Sequence, residues 1–121
     1  MFLATSNKAK RLLHLSYIQH VQRAELKRGS EDIQILLADL PPGLRLLVDF
    51  GRLESMDLAC TPEIGRMIEL FDQKDVSLVV RVIPDASKDI GMDILALFHY
   101  RHHPQVVNCE NMVAAAKQLS L

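Results

Sequence analysis

The stretch Leu44–Phe71, LRLLVDFGRLESMDLACTPEIGRMIELF, decides the fold. Leu44–Phe50 is apolar nearly throughout, as a strand covered on both faces is, and Asp49 is its exception. Gly51–Thr61 reads as a loop carrying Met56 and Asp57. Thr61 then reads as an N-cap, with Pro62 at the first helical position, where its missing N–H costs nothing. Ile64, Met67, Ile68 and Phe71 follow at i, i+3, i+4, i+7, the stripe of an amphipathic helix. A strand that delivers a loop to a helix N-terminus is a common way to build a site. The helix end offers unpaired N–H groups and the positive end of its dipole.

Upstream, Phe2–Thr5 is a short apolar run, Ser6-Asn7-Lys8 a turn, and Arg11–Val21 (RLLHLSYIQHV) a second extended run, so the two predict a hairpin. Arg23–Arg28 reads as a polar helical turn or two, broken at Gly29. Ser30 then predicts an N-cap, with Glu31 and Asp32 in the first turn and Ile33, Leu36, Leu37 and Leu40 on one face. Pro41-Pro42-Gly43 stops that helix. Downstream, Val76–Ile83 is the clearest strand, ended by Pro84. Ser87 predicts the cap of a third helix, with Ile90, Ile94, Leu97 and Phe98 on its apolar face. Gln105–Cys109 predicts a short strand. Asn111–Leu119 predicts a last helix with Met112, Val113, Ala116 and Leu119 on one face.

The order ββ-α-β-α-β-α-β-α predicts an α/β domain over residues 1–121. Its sheet is mixed and mostly parallel, with an N-terminal hairpin and about four helices mainly on one face. Leu44–Phe50 and Val76–Ile83 should be parallel and central, with Leu47, Ile68, Val80 and Ile94 fully buried.

Composition narrows the function classes. The chain has 121 residues, 49% apolar, enough for one real core. A formal charge of −1 and a pI near 6.5 give no basic footprint for nucleic acid. Cys60 and Cys109 are two thiols without CxxC spacing, so a reducing compartment is expected. The opening MFLATSNKAKR lacks the apolar core and cleavage site of a signal peptide. No apolar run has the roughly 18 residues of a membrane span. A cytoplasmic protein is the expectation.

The strand order, with Val48-Asp49-Phe50 in the central strand and Met56-Asp57 after it, resembles the STAS domain of bacterial anti-sigma factor antagonists. The closing PQVVNCENMVAAAKQL is similar to that family's last short strand and helix. LPPGLRLLVDF and VIPDASKDIGMDILALFHYR resemble, more closely still, an uncharacterised bacterial STAS-like group whose fold is also similar to lipid-binding Sec14-type domains. The resemblance implies a non-enzymatic regulatory module whose partner is an anti-sigma or kinase-like protein. The family's Asp-Ser-Ser-Gly opens a helix; here Leu58, Ala59 and Cys60 stand where it has Ser-Ser-Gly. Ala59 occupies the phosphorylated serine's position and has no hydroxyl. If another hydroxyl replaces it, Thr61 is best placed and Ser55 next. The docking surface implied is Ser55, Met56, Asp57, Leu58, Ala59, Cys60 and Thr61, with Met56 and Leu58 as apolar anchors. A homodimer is a further option. A carrier of a lipid or other small apolar ligand, lined by Met56, Met67, Met92 and Phe98, is the alternative, though such Met residues commonly fill core gaps.

Enzymatic readings are weaker. His99, His102 and His103 lack a third or fourth nearby zinc ligand, and they suit a polar helix end. Cys60 lies before a helix, where a thiolate is favoured, but no local base marks it as a nucleophile. Asp57 and Asp85 could pair at neighbouring strand ends, yet loop Asp residues usually turn or cap. Gly51 and Gly91 form no phosphate-cradling motif, and no cofactor is implied.

Overall fold

A computed structural model describes residues 1–83 and 104–121. Its strands are β1 (Phe2–Asn7), β2 (Leu12–Val21), β3 (Arg45–Met56), β4 (Leu78–Val82) and β5 (Gln105–Cys109). Its α-helices are α1 (Arg23–Ala38), α2 (Thr61–Gln73) and α3 (Met112–Gln118), and a 3-10 turn spans Leu58–Cys60. The five strands lie side by side in chain order, β1 to β5. β1 and β2 form the expected antiparallel hairpin. All later pairings are parallel, including the expected β3–β4 pair, Arg45↔Leu78 to Asp49↔Val82.

Alternation along the strands makes two cores. Leu13, Leu15 and Tyr17 of β2, Leu46, Val48 and Phe50 of β3 and Val79 of β4 face α1 and α2. Ile33 and Leu37 of α1 and Ile64, Met67, Ile68 and Phe71 of α2 close over them. Tyr17 stacks on Phe50, centroids 4.8 Å apart, and meets Phe2 edge-on at 4.9 Å. On the other face, Leu12, Leu47, Val80 and Val82 pack with Ala115 and Leu119 at the end of the chain. Leu47, Ile68 and Val80 are buried as expected; Ile94, with the helix predicted from Ser87, lies outside the described residues.

Several expectations are corrected. The count of about four helices becomes three α-helices among the described residues, and they occupy both faces, with α3 opposite α1 and α2. α1 runs unbroken through Gly29, and its N-cap is Gln22, whose N–H donates to Glu25 Oε1 at 3.2 Å, in place of the expected Ser30 cap. Gly29 is a close-approach residue: an added Cβ would lie 2.3 Å from Phe2 Cδ1. Thr61 is a helical residue (φ −52°, ψ −48°) and caps nothing with its side chain, because the 3-10 turn runs straight into α2 and moves Pro62 one position inward. β4 is shorter than Val76–Ile83 at both ends. In α3 the buried positions are Ala115 and the capping Leu119, whereas Met112 and Val113 are exposed. Asn111 supplies the cap, accepting from the Ala114 N–H at 2.9 Å.

Candidate functional site

The largest departure from the sequence reading lies at the end of β3. The strand does not stop at Phe50; it continues through Gly51 to Met56. Asp49 Oδ1 accepts from the Gly51 N–H at 2.7 Å, holding a bulge in which Phe50 and Gly51 oppose Tyr17 alone. A second irregularity follows, since Gln19 pairs with Leu53 but His20 pairs with Ser55. Glu54 is the extra residue, and without it Glu54 rather than Ser55 would oppose His20. On β2 the strain is taken by Gln19, at φ +56°.

That register assembles a cluster at the C-terminal ends of two parallel strands. The His20 ring is hydrogen-bonded through Nδ1 to Ser55 Oγ, and its Nε2 lies 3.3 Å from Asp57 Oδ1. Asp57 has the extended backbone of an N-cap (φ −65°, ψ 140°), yet its side chain caps nothing in the 3-10 turn. The turn is fastened to β2 by the Asp57 N–H, which donates to the Val21 carbonyl at 3.2 Å. The Cys60 thiol donates to the same oxygen at 3.7 Å. Behind β2, the Met1 ammonium donates to the Ile18 and His20 carbonyls at 2.7 and 3.0 Å and pairs with Glu25 at 3.2 Å.

The seven residues of the expected docking surface divide. Met56 and Cys60 are core residues, so Met56 is not an available anchor. Ser55 and Thr61 are half-buried, while Asp57, Leu58 and Ala59 are exposed, Leu58 at 81%. Burial pushes the Cys60 thiol above its usual range, and the Asp57 carboxylate adds to this, the opposite of an activated nucleophile. Asp85, Met92, Phe98, His99, His102 and His103 lie outside the described residues. Among the described residues no three His, Cys, Asp or Glu side chains converge on a metal position.

Two features escaped the sequence reading. His20 and Ser55 are 35 positions apart, and only the bulged register joins them. Glu63, 1% exposed, is a buried carboxylate in the first turn of α2. Arg66 Nη1 donates to it at 3.2 Å and Arg23 Nε at 3.4 Å, so the pairing that a buried charge requires ties the start of α1 to the start of α2. Arg66 three residues on was the available signal.

Three hollows lie around α1 and α2 among the described residues. The cavity between α2 and the sheet, lined by Leu15, Tyr17, Ile64, Met67 and Phe71 among others, measures about 20 Å³. That is room for about one water. Hollows of about 310 and 280 Å³ are open grooves between α1 and α2, the larger rimmed by Lys27, Glu31, Arg66 and Glu69. No helix among the described residues is long and apolar enough to cross a membrane.

This arrangement is the STAS fold of anti-sigma factor antagonists. The anti-sigma factor antagonist SpoIIAA in its unphosphorylated form superposes with a TM-score of 0.67 at 9% identity, over 99% of this chain and 98% of that one. The Bacillus cell fate determinant SpoIIAA in the phosphorylated form gives 0.64 at 8% identity, over 98% and 99%. An uncharacterised DUF3478-family protein with a SpoIIAA-like fold, from Shewanella loihica PV-4, gives 0.72 at 10% identity, over 98% and 92%. No family model matches the sequence, and no curated protein matches it.

Proposed function

We propose that the chain is a non-enzymatic regulatory module that docks a protein partner through Asp57, Leu58 and Ala59 and the adjoining start of α2. The observation that carries this reading is Leu58. It is a large apolar side chain, 81% exposed, on a turn pinned at both ends to buried structure. A fixed apolar residue beside polar groups is the kind of contact that anchors an interface. The fold shared with SpoIIAA supports a partner of the anti-sigma or kinase-like class. Ala59, exposed and without a hydroxyl, favours a constitutive contact over one switched by phosphorylation at that position. For the apolar-ligand alternative, the cavity beneath α2 among the described residues, about 20 Å³, is too small for a lipid.

Affinity capture from the source cell with three forms of the protein tests the proposal. Leu58→Asp should lose the partner. Ile35→Asp should keep it, since Ile35 is a comparably exposed side chain on α1 at 71%. The same partner held equally by Leu58→Asp would overturn the docking surface. Stoichiometric phosphate on Thr61 or Ser55 that releases the partner, read by intact mass and peptide mapping, would overturn the constitutive reading.

A further inference from the structure

We propose that the groove between α1 and α2 binds a dipeptide with free ends, at a place apart from Leu58. The two hollows of about 310 and 280 Å³ share Gln34, Leu70 and Gln73 in their linings, so they form one continuous groove. Both helices cross over between parallel strands on the same face of the sheet, so they run side by side in one direction. The bond from Arg23 to Glu63 at 3.4 Å sets their stagger. One turn further along, Lys27 of α1 stands level with Arg66 of α2. The next turn brings Glu31 beside Glu69, and the next Gln34 beside Gln73. The two walls therefore carry the same order of cation, anion and amide.

Such spacings ordinarily let each wall pair with itself, because Lys27 and Glu31 are i, i+4 and Arg66 and Glu69 are i, i+3. They do not pair so here. Lys27, Glu31 and Glu69 make no ion pair or side-chain hydrogen bond among the described residues, and Arg66 turns to the buried Glu63 instead. At the first level three cations, Arg23, Lys27 and Arg66, meet the one carboxylate of Glu63, which leaves a positive balance. At the second level the Glu31 and Glu69 carboxylates line the groove with no cation paired to them among the described residues. Ser30, 8% exposed, lies between the two levels, and its Oγ is buried with no hydrogen-bond partner. A helical serine has the carbonyl one turn back to bond, and this one leaves it unused. A purely anionic ligand would meet repulsion from Glu31 and Glu69, and a purely cationic one from the first level. A zwitterion satisfies both. The levels are about 5.4 Å apart, one helical turn. An extended dipeptide holds its charged ends roughly 5–6 Å apart, whereas a single amino acid is too short. Its carboxylate then lies at Lys27 and Arg66 and its ammonium at Glu31 and Glu69. The peptide unit between them lies at Ser30, whose hydroxyl donates to the peptide carbonyl after rotation about χ1.

Titration of the whole chain with alanylalanine, followed by amide NMR, tests the site without any protein partner. Millimolar dipeptide should give saturable shifts at Lys27, Ser30, Glu31, Arg66 and Glu69. Its N-acetyl and C-terminal amide forms each lack one charge and should bind at least about threefold more weakly, the scale of an exposed ion pair. Lys27→Gln should weaken alanylalanine by a similar factor and leave the amide form unaffected. Glu69→Gln should weaken alanylalanine and leave the N-acetyl form unaffected. Both side chains are exposed, so neither variant disturbs the core. Ser30→Ala should weaken all three ligands, and it removes a hydroxyl that bonds nothing in the free chain. Arg28→Gln, which takes a cation from α1 outside the groove lining, should change nothing. Groove amides that do not saturate would overturn the site. Equal binding of the blocked forms would overturn it too, as would shifts indifferent to both Lys27→Gln and Glu69→Gln. Shifts that follow protein rather than peptide concentration would put a second copy of the chain in the groove and equally overturn it.

Discussion

Among the described residues, the two faces of the sheet are packed differently. One carries two long helices, an aromatic stack from Phe2 through Tyr17 to Phe50, and most of the buried apolar residues. The other is covered, among the described residues, by α3 of seven residues, which contributes Ala115 and, at its cap, Leu119. Helices that short are not stable alone, and packing and capping must hold them. Among the described residues, apolar packing dominates the α1–α2 face, and a cap with a smaller apolar cluster holds α3 on the other.

Four measurements sharpen or break that contrast. Ile68→Ala opens a cavity in the larger core and should cost about 2–5 kcal/mol in denaturant melts. A loss under about 1 kcal/mol would mean that α2 is not seated as described. Gly29→Ala should cost about 1–3 kcal/mol, because the new methyl meets the Phe2 ring at 2.3 Å and β1 must shift. Amide exchange should then rise first in β1; an unperturbed β1 would contradict the close approach. Asn111→Ala removes the cap of α3 and should cost about 1 kcal/mol, with exchange rising in α3 alone. If α2 were loosened as well, the two faces would not be independent.

The smallest effect concerns His14, on the α3 side of β2. Burial pushes its imidazole below the ordinary histidine range, with the Asp49 carboxylate opposing and Arg52 adding. The unfolded chain therefore takes up this proton first. Stability should fall as the pH drops through the unfolded value of about 6.5 and level off below the folded one. His14→Gln should flatten that part of the profile. A wild-type profile already flat there would show that burial of this face does not reach His14.

The long periodic elements were legible in the sequence. The stripe Ile64, Met67, Ile68, Phe71 is wholly buried, and β5 occupies its expected residues, because periodicity reports burial directly. Glycine was harder to read. Gly29 looked like a helix breaker and is instead the place where a ring passes a helix. Gly51 looked like the start of a loop and is instead half of a bulge. At Gly29 the missing side chain makes room for Phe2, and at Gly51 the bulge exists only against β2; both partners are remote in sequence, which a local pattern cannot show. The end of β3 was hidden for the same reason, since Arg52, Glu54 and Ser55 read as polar loop until β2 is laid beside them. Leu58 and Ala59 could be placed by their likeness to a motif. His20 could not, because a register shift is a property of two strands together.

Strand order and chain order coincide among the described residues. Each described strand after β1 pairs with the described strand before it in the chain. A hairpin with a four-residue connection starts the sheet, and every later strand adds to an edge already present. A chain synthesised from the N-terminus presents each described strand after the one it pairs with. By Gln73 the growing chain holds three strands and both helices of the larger core. Nascent chains halted there should already resist protease in β2 and α2, while those halted before β3 should not. A topology of this kind makes the order of synthesis the order of assembly.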